Sequence, residues 1–133
     1  MVVADVMEAD GRQVAAKINA DGGKAQFVKL DVSSELDWQE AVRTTTGAFG
    51  RLDILVNNAG ISGSHDPDTL STSAWDTLLN INAKGVFLGM KHAVPAMRQG
   101  AGAPSSTSRP SPASSARTIS TWATTPPRAR CAP

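Results

Sequence analysis

Three short apolar runs, each followed by a stretch of helical periodicity, limit the folds open to this chain more than any other feature. Val2-Val3-Ala4 ends at Asp5 and reads as a buried strand. Over residues 8–20, Val14, Ala15 and Ile18 fall at helical spacing, and Gly22-Gly23 supplies a stop. Residues 25–30 alternate and read as a second strand. Residues 31–34 lead into a second helix, with Ser33 or Ser34 as N-cap, acids in its first turn, and Trp38, Val42 and Phe49 as its apolar stripe. Residues 52–57 form a third strand, nearly continuous in Leu, Ile and Val, as expected when both faces are covered. Residues 61–71 form a polar loop, and from residue 73 to about 97 runs a long helix, divisible near residues 80–85. Strand and helix alternate throughout, which predicts an α/β domain with a parallel sheet.

Composition divides the chain. Residues 1–103 hold 9 Lys and Arg and all 12 Asp and Glu, whereas residues 104–133 hold 4 Arg and no acid. The second part consists of 7 Ser, 6 Pro, 5 Thr, 5 Ala and the 4 Arg, with Ile119, Trp122 and Cys131. So little apolar surface cannot offset chain entropy, so residues 104–133 are expected to be disordered beside a single domain of residues 1–103. One cysteine excludes an internal disulfide framework and a multi-cysteine metal site. No apolar run is long enough for a membrane span, and no secretory signal opens the chain, so the cytoplasm is the expected compartment. Arg109, Arg117, Arg128 and Arg130 are too dispersed for a nucleic-acid surface. His65 and His92 have no second ligand at metal spacing, and Trp38 and Trp75 are read as packing residues.

Three features fall at the carboxyl ends of the expected strands, where parallel α/β sheets place ligand contacts. Asp5 closes a strand. In a dinucleotide fold such a carboxylate accepts from the adenosine ribose and repels a 2′-phosphate, favouring NAD over NADP. Its plain alternative is a solvated acid or a helix cap. Asp31-Val32 suits the edge of an adenine, or the cap of the next helix. In Asn57-Asn58-Ala59-Gly60, small residues permit close backbone approach and Asn can tie strands together; an ordinary turn is the alternative.

Taken together, these stretches resemble the short-chain dehydrogenase/reductase family over residues 2–103. The segment Leu52-Asp53-Ile54-Leu55-Val56-Asn57-Asn58-Ala59-Gly60 is similar to its most recognisable motif. Asn80-Ile81-Asn82-Ala83-Lys84-Gly85-Val86-Phe87 is similar to its Asn-x-x-Gly-Val-Phe helix, and Asp31-Val32-Ser33-Ser34 before a helix with Trp38 also fits. The resemblance implies a partial Rossmann-like, doubly wound parallel sheet. Asp5 would select NAD, Asp31 and Val32 would contact adenine, and Asn58, Ala59 and Gly60 would line the cofactor. Asp53 would support the fold around that site. Asn82 would be the asparagine of the catalytic tetrad, holding a water in the proton relay. The parent enzyme would interconvert a small secondary alcohol and a ketone as a homo-oligomer, with the long helix packing across a subunit interface. Phe87 and Met90 would then be exposed in an isolated chain.

The departures are as informative. The family's first strand and Gly-rich phosphate loop have no counterpart here, and no Tyr exists for its Tyr-x-x-x-Lys motif. The resemblance therefore implies weak cofactor binding and no hydride transfer by this chain. Two rival readings remain: a noncatalytic nucleotide-binding module, and a partner that completes the sheet of another dehydrogenase chain. In a doubly wound sheet the first strand lies between the second and fourth. Its loss leaves a central gap, and predicts a marginal or partly molten chain unless the molecule oligomerises or its flanking strands pair directly.

Residues 104–133 share a property of codons rather than of side chains. Ser, Thr, Pro, Ala, Arg, Trp and Cys all have C or G as second base, and only Ile119 does not. Joining the third base of each codon to the first two of the next, with permitted wobble choices, yields IVNISSIAGLVGQDNIHMGYNASKGAVRT. That string contains Ser-Ser and Tyr-Asn-Ala-Ser-Lys, similar to the missing family segment, and the Trp122–Ala123 junction forces the Gly before the Tyr. The tail thus reads as an out-of-frame translation of dehydrogenase coding DNA. Sequencing the gene is expected to show Tyr-x-x-x-Lys in the shifted frame; a shifted frame without it overturns the reading.

Overall fold

Small and β-branched residues extend Val2–Asp5 into strand β1, buried at every position. The computed structural model describes residues 1–62, 68, 70–101 and 118–121. Helix α1 (Glu8–Ala20) follows and buries Gly11 and Ala15. Val14, expected on the inner face, is 39% exposed, because the buried line runs through positions 11, 15 and 18 instead. Strand β2 (Gln26–Lys29) leads through a turn to helix α2 (Glu35–Phe49), whose N-cap is Ser34, with Oγ accepting from Asp37 N at 3.3 Å. Strand β3 (Ile54–Asn57) precedes helix α3 (Thr72–Leu79), a π turn (Asn80–Lys84) and helix α4 (Gly85–Ala101). The division expected near residues 80–85 is therefore this wide turn within one helical path. His65 and the Gly63 to Pro67 part of the polar loop lie outside the described residues.

The sheet is parallel, in the order β2-β1-β4-β3, and its β4 is Thr118–Thr121. Of residues 104–133, expected to be disordered, the structure describes these four, as a strand; the rest lie outside the described residues. The central gap is filled, and the flanking strands β1 and β3 do not pair directly. In register, Ile119 stands between Val2 and Leu55 and is wholly buried. One β-branched residue flanked by Thr and Ser suffices for a short strand when two parallel edges wait on either side.

One core lies between the sheet and the α2–α4 pair, built from Val2, Ala4, Val28, Leu30, Trp38, Leu52, Leu88 and Ile119 among others. Trp38 is its largest wholly buried side chain, and its Nε1–H donates to the Val32 carbonyl at 2.9 Å. Gly89 on α4 makes room for it: a Cβ there would come within 2.8 Å of Trp38 Cη2 and 2.5 Å of Asn57 Oδ1. Among the described residues the opposite face is covered by α1, over β1 and β2. Ile54 and Val56 of β3 are consequently 43% and 40% exposed, unlike the two-sided burial their composition suggested. Trp75, read as a packing residue, is 62% exposed on α3, while Phe87 and Met90 are exposed as expected.

Glu35 at the start of α2 ties that helix to α4, accepting from Lys91 Nζ at 2.5 Å and His92 Nε2 at 3.0 Å. The Lys91 hydrogen bond, then that of His92, holds its carboxyl below the usual value of 4.5. A carboxyl lowered in the folded state stabilises the fold above its unfolded pKa and loses that contribution as pH falls through the folded one. Urea midpoints are therefore expected to drop below about pH 4.5, and Glu35→Gln is expected to flatten that drop while lowering the midpoint at pH 7. An unchanged pH profile in the variant would show that the pair contributes nothing.

Candidate functional site

The carboxyl ends of β2, β1 and β3 lie along one edge of the sheet because all strands run the same way. In register order this edge carries Lys29 and then Asp31, Asp5, the end of β4 at Thr121, and Asn57 followed by Asn58. Adjacent strands are about 4.8 Å apart, so the edge from β2 to β3 spans roughly 14 Å. It brings together Asp5, Asp31, Val32, Asn58, Ala59 and Gly60, the residues singled out from the sequence.

Asp5 is 5% exposed, and its Oδ1 accepts from Met7 N at 2.8 Å, turning the chain from β1 toward α1. Its carbonyl accepts from Leu30 N at 3.1 Å and so fixes the start of the β2–α2 turn. Asp31 is exposed, and its Oδ1 accepts from Ser33 N at 2.9 Å and Ser33 Oγ at 2.7 Å, a local turn that holds the acid at the rim. Its own N–H donates to Asp37 Oδ2 at 3.0 Å. Val32 is buried and packs against α4: a Cβ on Gly85 would come within 2.9 Å of its Cγ2. Asn58 is exposed, whereas Ala59 and Gly60 are half-buried.

Asn82 sits in the π turn and is wholly engaged with the segment leaving β3. Its Oδ1 accepts from Ile61 N, and its Nδ2 donates to Ile61 O, both at 2.8 Å. A side-chain amide carries an acceptor and a donor side by side and so can satisfy both the N–H and the carbonyl of one residue in this way. Gly60 eases the same approach, since a Cβ there would lie 3.2 Å from Asn82 Oδ1 and the amide would have to shift by a few tenths of an ångström. The amide of Asn82 is thus a latch between helix and loop. Ile61 could not be found from residue type, because it takes part through its backbone. Asp53 falls outside the cluster: it precedes β3 at the opposite end of the strand and pairs with Arg51. Asn57 Oδ1 is buried without a hydrogen-bond partner among the described residues, so this oxygen does not tie strands as the sequence suggested.

Chemically, the edge offers two carboxylates, small residues and exposed backbone groups, suited to a polar, extended ligand with hydroxyl donors. Among the described residues no set of three or more His, Cys, Asp or Glu is placed to hold a metal ion. Nor is any helix among them long and apolar enough to cross a membrane.

This arrangement, a parallel α/β sheet with a small-residue turn after β3 and an asparagine latch on the long helix, marks a class of protein that comparison makes explicit. The sequence profile described as short chain dehydrogenase matches residues 1–104, and the chain belongs to that family. Among curated relatives, trans-4-hydroxycyclohexanecarboxylate dehydrogenase of Sinomonas cyclohexanicum is 42% identical over 108 residues, covering 77% of this chain and 42% of that protein. Cyclopentanol dehydrogenase of a Comamonas species is 41% identical over 97 residues, covering 73% and 39%. A crystal structure of a 3-ketoacyl-ACP reductase from Sinorhizobium meliloti superposes with TM-score 0.69 at 36% identity, over 74% of this chain and 39% of that one. The chain spans about two-fifths of the length of the relatives it matches.

Asn82→Ala removes both bonds to Ile61. It is expected to raise the exchange rate of the Ile61 amide at least tenfold while lowering global stability by only about 1–3 kcal/mol. Exchange at Ile61 that stays as slow as in the parent would show that the loop is held by other means.

Proposed function

We propose that this chain is the adenosine-binding portion of an NAD-dependent short-chain dehydrogenase acting on secondary alcohols or ketones, and that it does not transfer hydride as it stands. The observation that carries the proposal is the row of Asp31, Asp5 and Asn58 along the carboxyl edge of one parallel sheet. Ligands of open α/β sheets bind along this edge.

The residues present fit the adenosine end of a dinucleotide. The nearly buried Asp5 would accept from ribose hydroxyls, and its charge would repel a 2′-phosphate, favouring NAD over NADP. Asp31 has one carboxylate oxygen committed to Ser33, its N–H to Asp37 and its carbonyl to the Ser34 N–H, so its other carboxylate oxygen and the Val32 N–H would meet the adenine. Asn58, Ala59 and Gly60 would line the cofactor where a bulky side chain would obstruct it. Asn82 orders the turn that carries them through Ile61. The nicotinamide of the bound cofactor supplies the hydride acceptor in this family's chemistry. The proton, however, needs a phenol beside an ammonium group, and this chain has no Tyr. The reading of residues 104–133 as a shifted frame accounts for that lack. The relatives' names support an alicyclic secondary alcohol as the parent's substrate class. Exposed Trp75, Leu79, Phe87, Met90 and Val94 along α3 and α4 support a subunit interface in a homo-oligomeric parent.

Calorimetric titration is expected to show NAD binding in about the millimolar range and NADP binding more weakly still. Asp5→Ser should narrow the gap between the two cofactors at least fivefold. No NADH should form with cyclopentanol. Equal affinity for both cofactors in the parent chain, or turnover sensitive to Asn82→Ala, would overturn the proposal.

A further inference from the structure

We propose that Asp37 is a positioning residue for the base: by holding the Asp31 N–H it fixes the free Asp31 carboxylate oxygen beside the free Val32 N–H, and so makes this part of the edge select adenine among purines. The inference rests on the adenosine reading above and deepens it.

The starting point is an irregularity at the head of α2. Ser34 is the N-cap and Asp37 stands three residues on, the spacing of a capping box, in which the third side chain returns to the N-cap N–H. Here the Ser34 N–H is already taken by the Asp31 carbonyl at 3.0 Å. The Asp37 carboxylate reaches further back instead. Its Oδ2 accepts from the Asp31 N–H at 3.0 Å, while its Oδ1 accepts from Ser34 Oγ at 2.8 Å. The bond to Asp31 satisfies no N–H of α2, because Asp31 lies outside the helix. Its effect falls on the turn. The next residue of the helix does the same for the next residue of the turn, since Trp38 Nε1–H donates to the Val32 carbonyl at 2.9 Å.

With those ties made and Asp31 Oδ1 occupied by Ser33, two polar groups remain without a hydrogen-bond partner among the described residues: Asp31 Oδ2 and the Val32 N–H. Val32 is only 9% exposed, where an open N–H is costly. One acceptor beside one donor complements the amine donor and adjacent ring-nitrogen acceptor of adenine. Asp37 acts on this pair through Asp31 and not by touching the base. Without its carboxylate, the Asp31 backbone is free to turn and the acceptor loses its place beside the donor.

The test uses the full chain, with adenosine and inosine as probes and the amide resonances of Asp31 and Val32 as the readout. Inosine carries a carbonyl in place of the amine, which sets acceptor against acceptor at Asp31. The parent is expected to favour adenosine by about tenfold. Asp37→Ala should abolish the preference and speed exchange of the Asp31 amide by about tenfold. Asp37→Glu has the reach of an ordinary capping box, so it supports α2 while releasing Asp31, and it should abolish the preference even if the Ala variant does not fold. Asp37→Asn keeps an oxygen for the Asp31 N–H and an amine that donates to Ser34 Oγ, and should hold the preference within about threefold of the parent. Gly50→Ala strains the other end of α2, where φ is +78°, and should lower stability without moving the preference. If adenosine leaves both amides unmoved in the parent, the adenosine reading falls and this inference with it. If the parent prefers adenosine and the Ala and Glu variants do so equally, or if the Asn variant loses the preference, the role of Asp37 alone is overturned.

Discussion

A strand buried on both faces cannot leave one of its backbone edges unpaired. β1 is buried at each of its residues, and its second edge is paired only because β4 lies beside it. Every buried N–H or carbonyl left open there would cost about 1–3 kcal/mol, in a class of domains whose whole stability is about 5–15 kcal/mol. The consequences reach beyond β1. Among the described residues β3 has no other strand partner, and α4 packs on both β3 and α2. Without a filled centre, β3 would separate from the rest of the sheet, and Leu88 and Ala93 would lose the surface against which α4 buries them.

The candidate site inherits its geometry from that pairing. Asp5 and Asp31 belong to neighbouring strands and keep their spacing through the β1–β2 ladder and the Leu30 N–H to Asp5 carbonyl bond. Asn58, Ala59 and Gly60 belong to β3 and are held relative to Asp5 only across β4. The reciprocal bonds between Asn82 and Ile61 add a tie from the helix, but a helix-to-loop tie cannot set a distance between strands. The acid-bearing half of the edge is thus rigid by its own pairing, and the small-residue half depends on a strand with a single apolar side chain.

What could be read in the sequence follows from how local each determinant is. The α1 boundaries, the Ser34 cap and the burial of Trp38 depend on neighbours within a few residues, and these were legible. That the candidate residues share one edge was legible because strand ends in a parallel sheet do so whatever the details of packing. Trp75 and the outward face of β3 were not, since their exposure reflects which faces other elements cover, a tertiary fact absent from any local pattern. β4 was the hardest to see. Composition speaks to whether residues 104–133 can build a core of their own, and says nothing about an edge elsewhere that takes up four of them. Ile61 escaped for another reason: its role is played by its backbone N–H and carbonyl, which residue type does not distinguish.

Ile119 joins the two threads. On the shifted-frame reading, a C or G in the second codon position confines the tail to Ser, Thr, Pro, Ala, Arg, Gly, Trp and Cys, none of them aliphatic beyond Ala. Ile119 is the residue that departs from this bias, and it is the one whose side chain enters the core. Recruitment needs no selected strand. It needs one β-branched aliphatic residue, neighbours of moderate β propensity, and a connection long enough to reach the gap; residues 118–121 meet these conditions. A sheet missing an interior strand exerts a strong demand and a weakly discriminating one, because main-chain hydrogen bonds read no side chain.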